Sequence, residues 1–113
     1  MSGGWHVLDD GMALTLARRL PPRFDLSEER QFPPVRRRAL AHAIRQDVWR
    51  ALRSLRGFTP VVRVARHGDG LSVRAGGACD GALPAVAQAR LAQVMDCPAR
   101  RARWIRHAGP RSC

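Results

Sequence analysis

The sequence predicts a small α+β domain in which β-hairpins pack on a long amphipathic helix and a pair of helices closes the chain. Three observations support this class. Apolar residues alternate on both sides of short glycine turns in two places, apolar residues recur at helical spacing between them, and two proline-initiated stretches with apolar residues follow. The chain has 113 residues, which is enough for one hydrophobic core. We therefore expect a single domain over residues 1–113.

The first element, over residues 1–20, is predicted to be a β-hairpin. Two short apolar runs surround the turn Asp9-Asp10-Gly11, and Leu14 and Leu16 alternate with smaller residues. The alternative is a helix over residues 11–20 that ends at the prolines after it.

A connector over residues 21–34 and a long helix over residues 35–57 are predicted next. The connector contains two Pro-Pro pairs, which interrupt regular structure. Gly57 stands where a helix can end in the left-handed conformation. The apolar face of the helix recurs at helical spacing and consists of Leu40, Ile44, Val48, Ala51, Leu52 and Leu55.

The opposite side of this helix carries a basic stripe. Its members share one direction at 100° per residue and are Arg38, His42, Arg45, Trp49, Arg53 and Arg56. One interpretation is an ordinary solvated face. Such faces usually mix both signs of charge, however, and Asp47 is the only acidic residue of the helix. We therefore interpret the stripe as a surface that binds phosphate groups.

A second hairpin is predicted over residues 61–75, with Gly68-Asp69 as its two-residue loop. This register places Val64 opposite Val73 on the buried side and Arg63 opposite Arg74 on the open side. Two arginines directly opposite each other repel unless an anion joins them, so this pair is a second candidate phosphate contact. A solvent-screened pair without a ligand is the alternative.

The C-terminal part is predicted to form two helices over residues 84–107, followed by a tail over 108–113. Within it, Ala92 is a small residue at a helix crossing and Asp96 lies at a turn between the helices. Apolar residues recur around these two positions at Leu91, Met95, Cys97, Ala102 and Ile105. Residues 88–107 thus resemble the helix-turn-helix of bacterial and phage DNA-binding proteins. Two positions depart from the family, because Asp96 replaces its usual glycine and Ala102 its usual β-branched residue.

The resemblance implies that the second helix of this helix-turn-helix-like pair lies in the major groove of DNA. With Ala102 taken as the inward direction, the outward residues that would contact DNA are Arg100, Arg103, Trp104 and His107, flanked by Arg101. Burial of Trp104 against the hairpin or a dimer partner is the alternative.

The charge distribution points to a polyanionic partner. The net charge is +11; residues 1–29 carry −2 and residues 30–113 carry +13, and all 20 basic residues are arginine. Such a balance is typical of proteins that bind nucleic acid. We expect a small DNA-binding protein of bacterial or phage type, with a regulatory, architectural or packaging role and duplex DNA as its partner.

Two other functions remain possible from the sequence. The first is a non-catalytic assembly adaptor that binds an acidic protein, with Trp49 and Trp104 as anchors. The second is a single-strand or RNA binder, which is disfavoured because residues 61–75 contain no aromatic side chain. A homodimer is compatible with the DNA-binding protein and with the assembly adaptor.

Several classes of protein are not expected. The acidic residues after residue 29 are isolated from one another, so we expect no catalytic residues and no enzyme. Three cysteines without a CxxC pair and four scattered histidines predict neither a disulfide nor a metal site, and nothing predicts a cofactor. No apolar run is long enough to span a bilayer and the start does not resemble a signal peptide, so we expect a cytoplasmic protein that binds no membrane.

Overall fold

The first hairpin is present over residues 6–17, which confirms the predicted element and excludes the alternative helix. A computed structural model describes residues 4–110, so residues 1–3 of the predicted hairpin segment and 111–113 of the predicted tail lie outside the described residues. Strand β1 spans His6–Asp9 and pairs antiparallel with β2, Ala13–Ala17. The turn between them is held by its carboxylates, because Asp9 Oδ1 accepts the Gly11 N–H at 2.9 Å and Asp10 Oδ1 accepts the Ala13 N–H at 2.8 Å. These bonds pair backbone N–H groups of the turn.

The predicted connector over residues 21–34 is wrong in its second half. Residues Leu26–Phe32 form strand β3, whose two ends are buried and whose middle is polar. The strand pairs along its whole length with a later strand at the edge of the sheet. Its polar middle lacks the apolar alternation that predicts a strand. An edge strand depends more on hydrogen bonds from its neighbour than on such alternation.

Helix α1 spans Arg37–Leu52 and is shorter than the predicted 35–57. Its apolar face is fully buried at Leu40, Ile44, Val48 and Leu52, as predicted. The residues after Leu52 form turns instead of continuing the helix, and Gly57 takes the predicted left-handed conformation with φ of 65°.

The second hairpin confirms the predicted register and is longer than predicted. Strand β4 spans Thr59–His67 and β5 spans Gly70–Ala78, with Val64 opposite Val73 and Arg63 opposite Arg74. The two strands lie in the middle of a five-stranded antiparallel sheet with the order β1-β2-β4-β5-β3.

Two helices complete the helical layer. Helix α2 spans Ala85–Asp96 and α3 spans Pro98–Ala108, close to the predicted pair over residues 84–107. Helix α1 packs on the central strands, α2 packs on β3 and α1, and α3 packs mainly on α1. One hydrophobic core joins these helices to a single face of the sheet. The fold is therefore α+β, as predicted. None of the helices in residues 4–110 is long and apolar enough to cross a membrane.

Candidate nucleic-acid interface

Helix α3 is rotated relative to the predicted helix-turn-helix packing. Trp104 is only 1% exposed and lies against Phe32, with 6.2 Å between ring centroids. Ala102, predicted to point inward, is exposed, whereas Ile105 is partly buried against the core as predicted. The physical reason is area: an indole buries far more apolar surface than a methyl group, so it decides which side faces the core. The prediction of Trp104 as a DNA contact is wrong. The side chain is buried, as in the alternative, but against Phe32 of β3 and Asp47 of α1 instead of the hairpin or a dimer partner.

Asp47 explains how α3 is held in this orientation. It is the one buried charged residue within 4–110, at 7% exposure. Its Oδ2 accepts the Trp104 indole N–H at 2.6 Å and also accepts from Arg103, while Arg50 Nη1 lies 3.6 Å from Oδ1. The sequence signal was its position three residues after Ile44, on the apolar side of α1. A carboxylate buried at such a position requires hydrogen-bond partners, which the sequence does not identify.

Three of the five residues predicted to contact DNA from α3 already bind within the chain. Trp104 and Arg103 bind Asp47, and Arg101 donates from Nη2 to the Gln31 carbonyl oxygen at 2.7 Å. The Arg101 guanidinium also lies 4.1 Å from the centroid of the Phe32 ring. The exposed basic side chains of this helix are Arg100, Arg103, Arg106 and His107, of which Arg106 was not among the predicted contacts.

The basic stripe of α1 lies on the solvent side of the helix. Arg38, Arg53 and Arg56 are exposed, and Trp49 is 42% exposed. Arg45 differs from them, because its guanidinium lies 4.6 Å from the centroid of the Trp5 indole and is partly buried. Because α1 ends at Leu52, Arg53 and Arg56 lie in the turns that follow it, so the predicted stripe along the helix is wrong for these two residues. Its middle, at Arg45 and Trp49, is part of a deeper site.

That deeper site is a cleft of about 420 Å³ between α1 and the ends of β1, β2 and β4, which we call the Trp5 cleft. Arg45 and Arg18 both approach its Trp5 indole, at 4.6 and 5.5 Å from the ring centroid. Burial and the nearby Arg18 charge lower the pKa of Arg45. The cleft is lined by Trp5, Arg18, Arg19, Arg45, Trp49, Phe58, Thr59 and Pro60.

Sequence reasoning found only Arg45 and Trp49 of this cleft, because its other members are distant in the chain. The one sequence feature that could have indicated the cleft is the Arg18-Arg19 pair, which directly follows an apolar strand. A charged pair at a strand end is common, and nothing in the sequence places it beside Trp5.

His42 borders a separate groove between α1 and α3. Its Nδ1 lies 3.4 Å from Arg45 Nη2, and because a guanidinium only donates, Nδ1 is the acceptor. Burial lowers the pKa of His42, and the Arg45 and Arg38 charges lower it further. His42 is therefore held neutral next to the arginines.

The arginine pair of the second hairpin lies on a different surface. Arg63 and Arg74 project from the sheet face opposite the helices. Arg74 already donates from Nε to Ser27 Oγ at 3.0 Å. Its guanidinium carbon also lies over the Phe24 ring, 4.5 Å from the ring centroid. These two arginines and the basic stripe of α1 therefore lie on opposite sides of the domain, so one flat surface of a partner cannot contact both sets.

The described part of the chain offers no metal centre, since no three His, Cys, Asp or Glu side chains in residues 4–110 lie close enough to share an ion. In the Trp5 cleft the structure brings together arginine side chains and aromatic rings. No family model matches the chain, and neither the curated proteins nor the solved structures include one that is significantly similar to it.

Proposed function

We propose that the protein binds duplex DNA by neutralising phosphates with arginines of its helical layer. We call this set the helical basic surface; it comprises Arg38, Arg45, Arg53, Arg56, Arg100 and Arg106. The observation that carries the proposal concerns Asp47. It is the only carboxylate in residues 37–56 and 98–108, and it is buried and bonded to Trp104 and Arg103. The exposed charge of α1 and α3 therefore has one sign.

A surface of this kind favours a polyanion with closely spaced charges. Each arginine that contacts a phosphate releases counterions, and this release supplies most of the affinity of non-specific DNA binding. Arg101 and Arg103 are already bonded within the chain, which leaves fewer donors on α3 for base edges. We therefore assign affinity to phosphate contacts and expect only weak sequence preference.

The test is a fluorescence anisotropy titration with a random-sequence duplex at several salt concentrations. If about six arginines contact phosphates, the slope of log K against log[salt] is near −5. A folded protein that does not bind duplex at low salt would refute the proposal. Binding with a flat salt dependence would also refute it and would favour an adaptor that recognises an acidic protein.

Single substitutions locate the interface. Arg38→Ala and Arg53→Ala should each reduce the salt slope by about one unit. The matched control is Arg90→Ala, an exposed arginine on α2 that forms no ion pair within residues 4–110. Arg63→Ala tests the opposite face. If Arg63→Ala weakens binding and Arg38→Ala does not, DNA binds to the sheet and the helical basic surface is not the interface.

A further inference from the structure

The Trp5 cleft contains cationic groups whose hydrogen-bonding capacity is only partly used, since Arg45 bonds to His42 through Nη2 alone. Arg18 and Arg45 approach the same indole, and neither forms an ion pair with a carboxylate in residues 4–110. Arg45 Nε is buried and has no hydrogen-bond partner in that part of the chain. Buried donors are normally paired, because an unpaired one loses its bonds to water without replacement. The arrangement favours an anion bound beside Arg45.

The same cleft offers aromatic surface next to these cations. Trp49 stacks on the buried Phe58 with 6.3 Å between ring centroids and 13° between ring planes. The Trp49 indole thus packs beside a buried ring, while 42% of the residue is exposed. A supported, exposed indole is a surface on which another planar ring can stack.

We propose that the Trp5 cleft binds a nucleoside phosphate, with the phosphate at Arg45 and Arg18 and the base stacked on Trp49. Guanidinium groups donate pairs of hydrogen bonds that match phosphate oxygens. A volume of about 420 Å³ lies within the usual range of small-ligand sites. The ligand is either a free nucleotide or an unpaired nucleotide in a strand. Paired bases of an intact duplex are stacked on each other and cannot stack on Trp49.

This inference goes beyond binding of a duplex to the helical basic surface, and it can fail separately. Arg38 and Arg53 do not line the cleft, so a duplex can bind through them while the cleft is empty. Conversely, the cleft can bind a nucleotide even if no duplex binds at all.

The first experiment titrates the full chain with adenosine 5′-monophosphate and follows tryptophan fluorescence. We expect saturable quenching, because a base stacked on Trp49 quenches its emission. Ribose 5-phosphate has no base to quench emission, so its binding is measured by competition with the nucleotide. It and adenosine each supply half of the contacts and should bind at least roughly tenfold more weakly. The proposal is overturned if quenching does not saturate, or if ribose 5-phosphate binds as tightly as the nucleotide.

Variants then assign the two halves of the site by calorimetry. Arg45→Gln should weaken nucleotide binding roughly tenfold or more, whereas Arg90→Gln should leave it unchanged. Arg18→Gln changes an exposed residue and tests the phosphate contact independently if Arg45→Gln does not fold. Trp49→Leu should reduce nucleotide affinity to that of ribose 5-phosphate. Unchanged affinity in folded Arg18→Gln and Trp49→Leu proteins would place the nucleotide elsewhere and overturn the proposal.

One further ligand distinguishes a free nucleotide from an unpaired nucleotide in a strand. That ligand is an oligothymidylate of eight nucleotides. If it binds more tightly than the mononucleotide, and if Trp49→Leu weakens its binding, the natural ligand is an unpaired nucleotide of a strand. Tighter binding of the mononucleotide identifies a free nucleotide. In both cases Arg38→Ala should leave mononucleotide affinity unchanged, which separates the cleft from the duplex surface.

Discussion

Asp47 is the residue on which the arrangement of α1 and α3 depends. It is buried, and it accepts hydrogen bonds from Trp104 and Arg103. Asp47→Ala should lower the free energy of unfolding by about 2–4 kcal/mol, because it leaves the indole N–H without its partner inside the core. Urea denaturation measures this change.

The matched control removes the exposed partner of the same carboxylate. Arg50 lies 3.6 Å from Asp47, and its side chain is 69% exposed. Arg50→Ala should therefore change stability by less than about 0.5 kcal/mol. If the two variants are equally stable, Asp47 does not hold α3 in place.

His42 makes stability depend on pH. Its pKa in the folded protein is lowered from 6.5, chiefly by burial and then by the Arg45 and Arg38 charges; Asp47, Arg103 and His107 line the groove it borders. Below pH 6.5 the unfolded chain binds a proton at His42 that the folded protein resists. The contribution of His42 to stability is therefore fully present above pH 6.5 and is lost as the pH falls towards the lowered pKa of the folded protein.

The test compares urea midpoints at about pH 7.5 and 5.5 in the native protein and in His42→Gln. Glutamine does not titrate, so the variant should lose less stability between the two pH values than the native protein does. An equal loss in both proteins would show that His42 contributes nothing to the pH dependence.

At the scale of elements, the orientation of α3 is the feature that separates this fold from the predicted helix-turn-helix. Trp104→Ala should cost about 3–5 kcal/mol, because it removes the largest buried side chain of the helix. Ala102→Asp should cost less than about 1 kcal/mol, since Ala102 is exposed. In a helix-turn-helix with Ala102 inward the order would be reversed, and urea denaturation of both variants decides between the two arrangements.

Strand β3 shows why some elements could not be predicted from local sequence. Its Leu26 and Phe32 ends are buried, but the five residues between them are polar. One of these, Arg30, donates to Asp96 at the end of α2, with Nη2 2.9 Å from Oδ2. The strand is thus stabilised by β5 beside it and by a helix more than 60 residues away. No pattern within residues 21–34 contains that information.

At the scale of the whole molecule, the charge of +11 on a domain of this size is a source of instability. Salt screens repulsion between exposed charges over about 10 Å at 0.1 M. Raising NaCl from about 20 to 300 mM should therefore increase the melting temperature. A decrease would show that the surface ion pairs, such as Arg37 with Asp9, outweigh the repulsion.

At low salt, addition of a DNA duplex should raise the melting temperature above that of the free protein, because a ligand that binds only the folded state stabilises it by mass action. The Arg38→Ala/Arg53→Ala double variant should show a smaller increase than the native protein. The control is again Arg90→Ala, for which we expect the native increase. An increase of native size in the double variant would mean that these two arginines do not contact DNA.

Features that depend on short-range periodicity can be predicted from the amino-acid sequence alone. The register of the second hairpin, with Arg63 opposite Arg74, followed from the loop length and the alternation of apolar residues. The buried face of α1 followed from helical spacing, and the excess of basic charge followed from composition. These properties are local, so neighbouring residues are sufficient to define them.

Features in which distant residues compete for burial or contact each other become visible only when the three-dimensional packing is known. Trp104 and Ala102 both stand on α3, and which of them faces inward depends on the space beside Phe32 and on Asp47, which the helix sequence does not contain. The Trp5 cleft likewise joins Trp5, Arg18, Arg45 and Phe58 from four separate segments. Packing against partners far along the chain sets both arrangements, because burial of area and pairing of charge depend on where those partners lie in space.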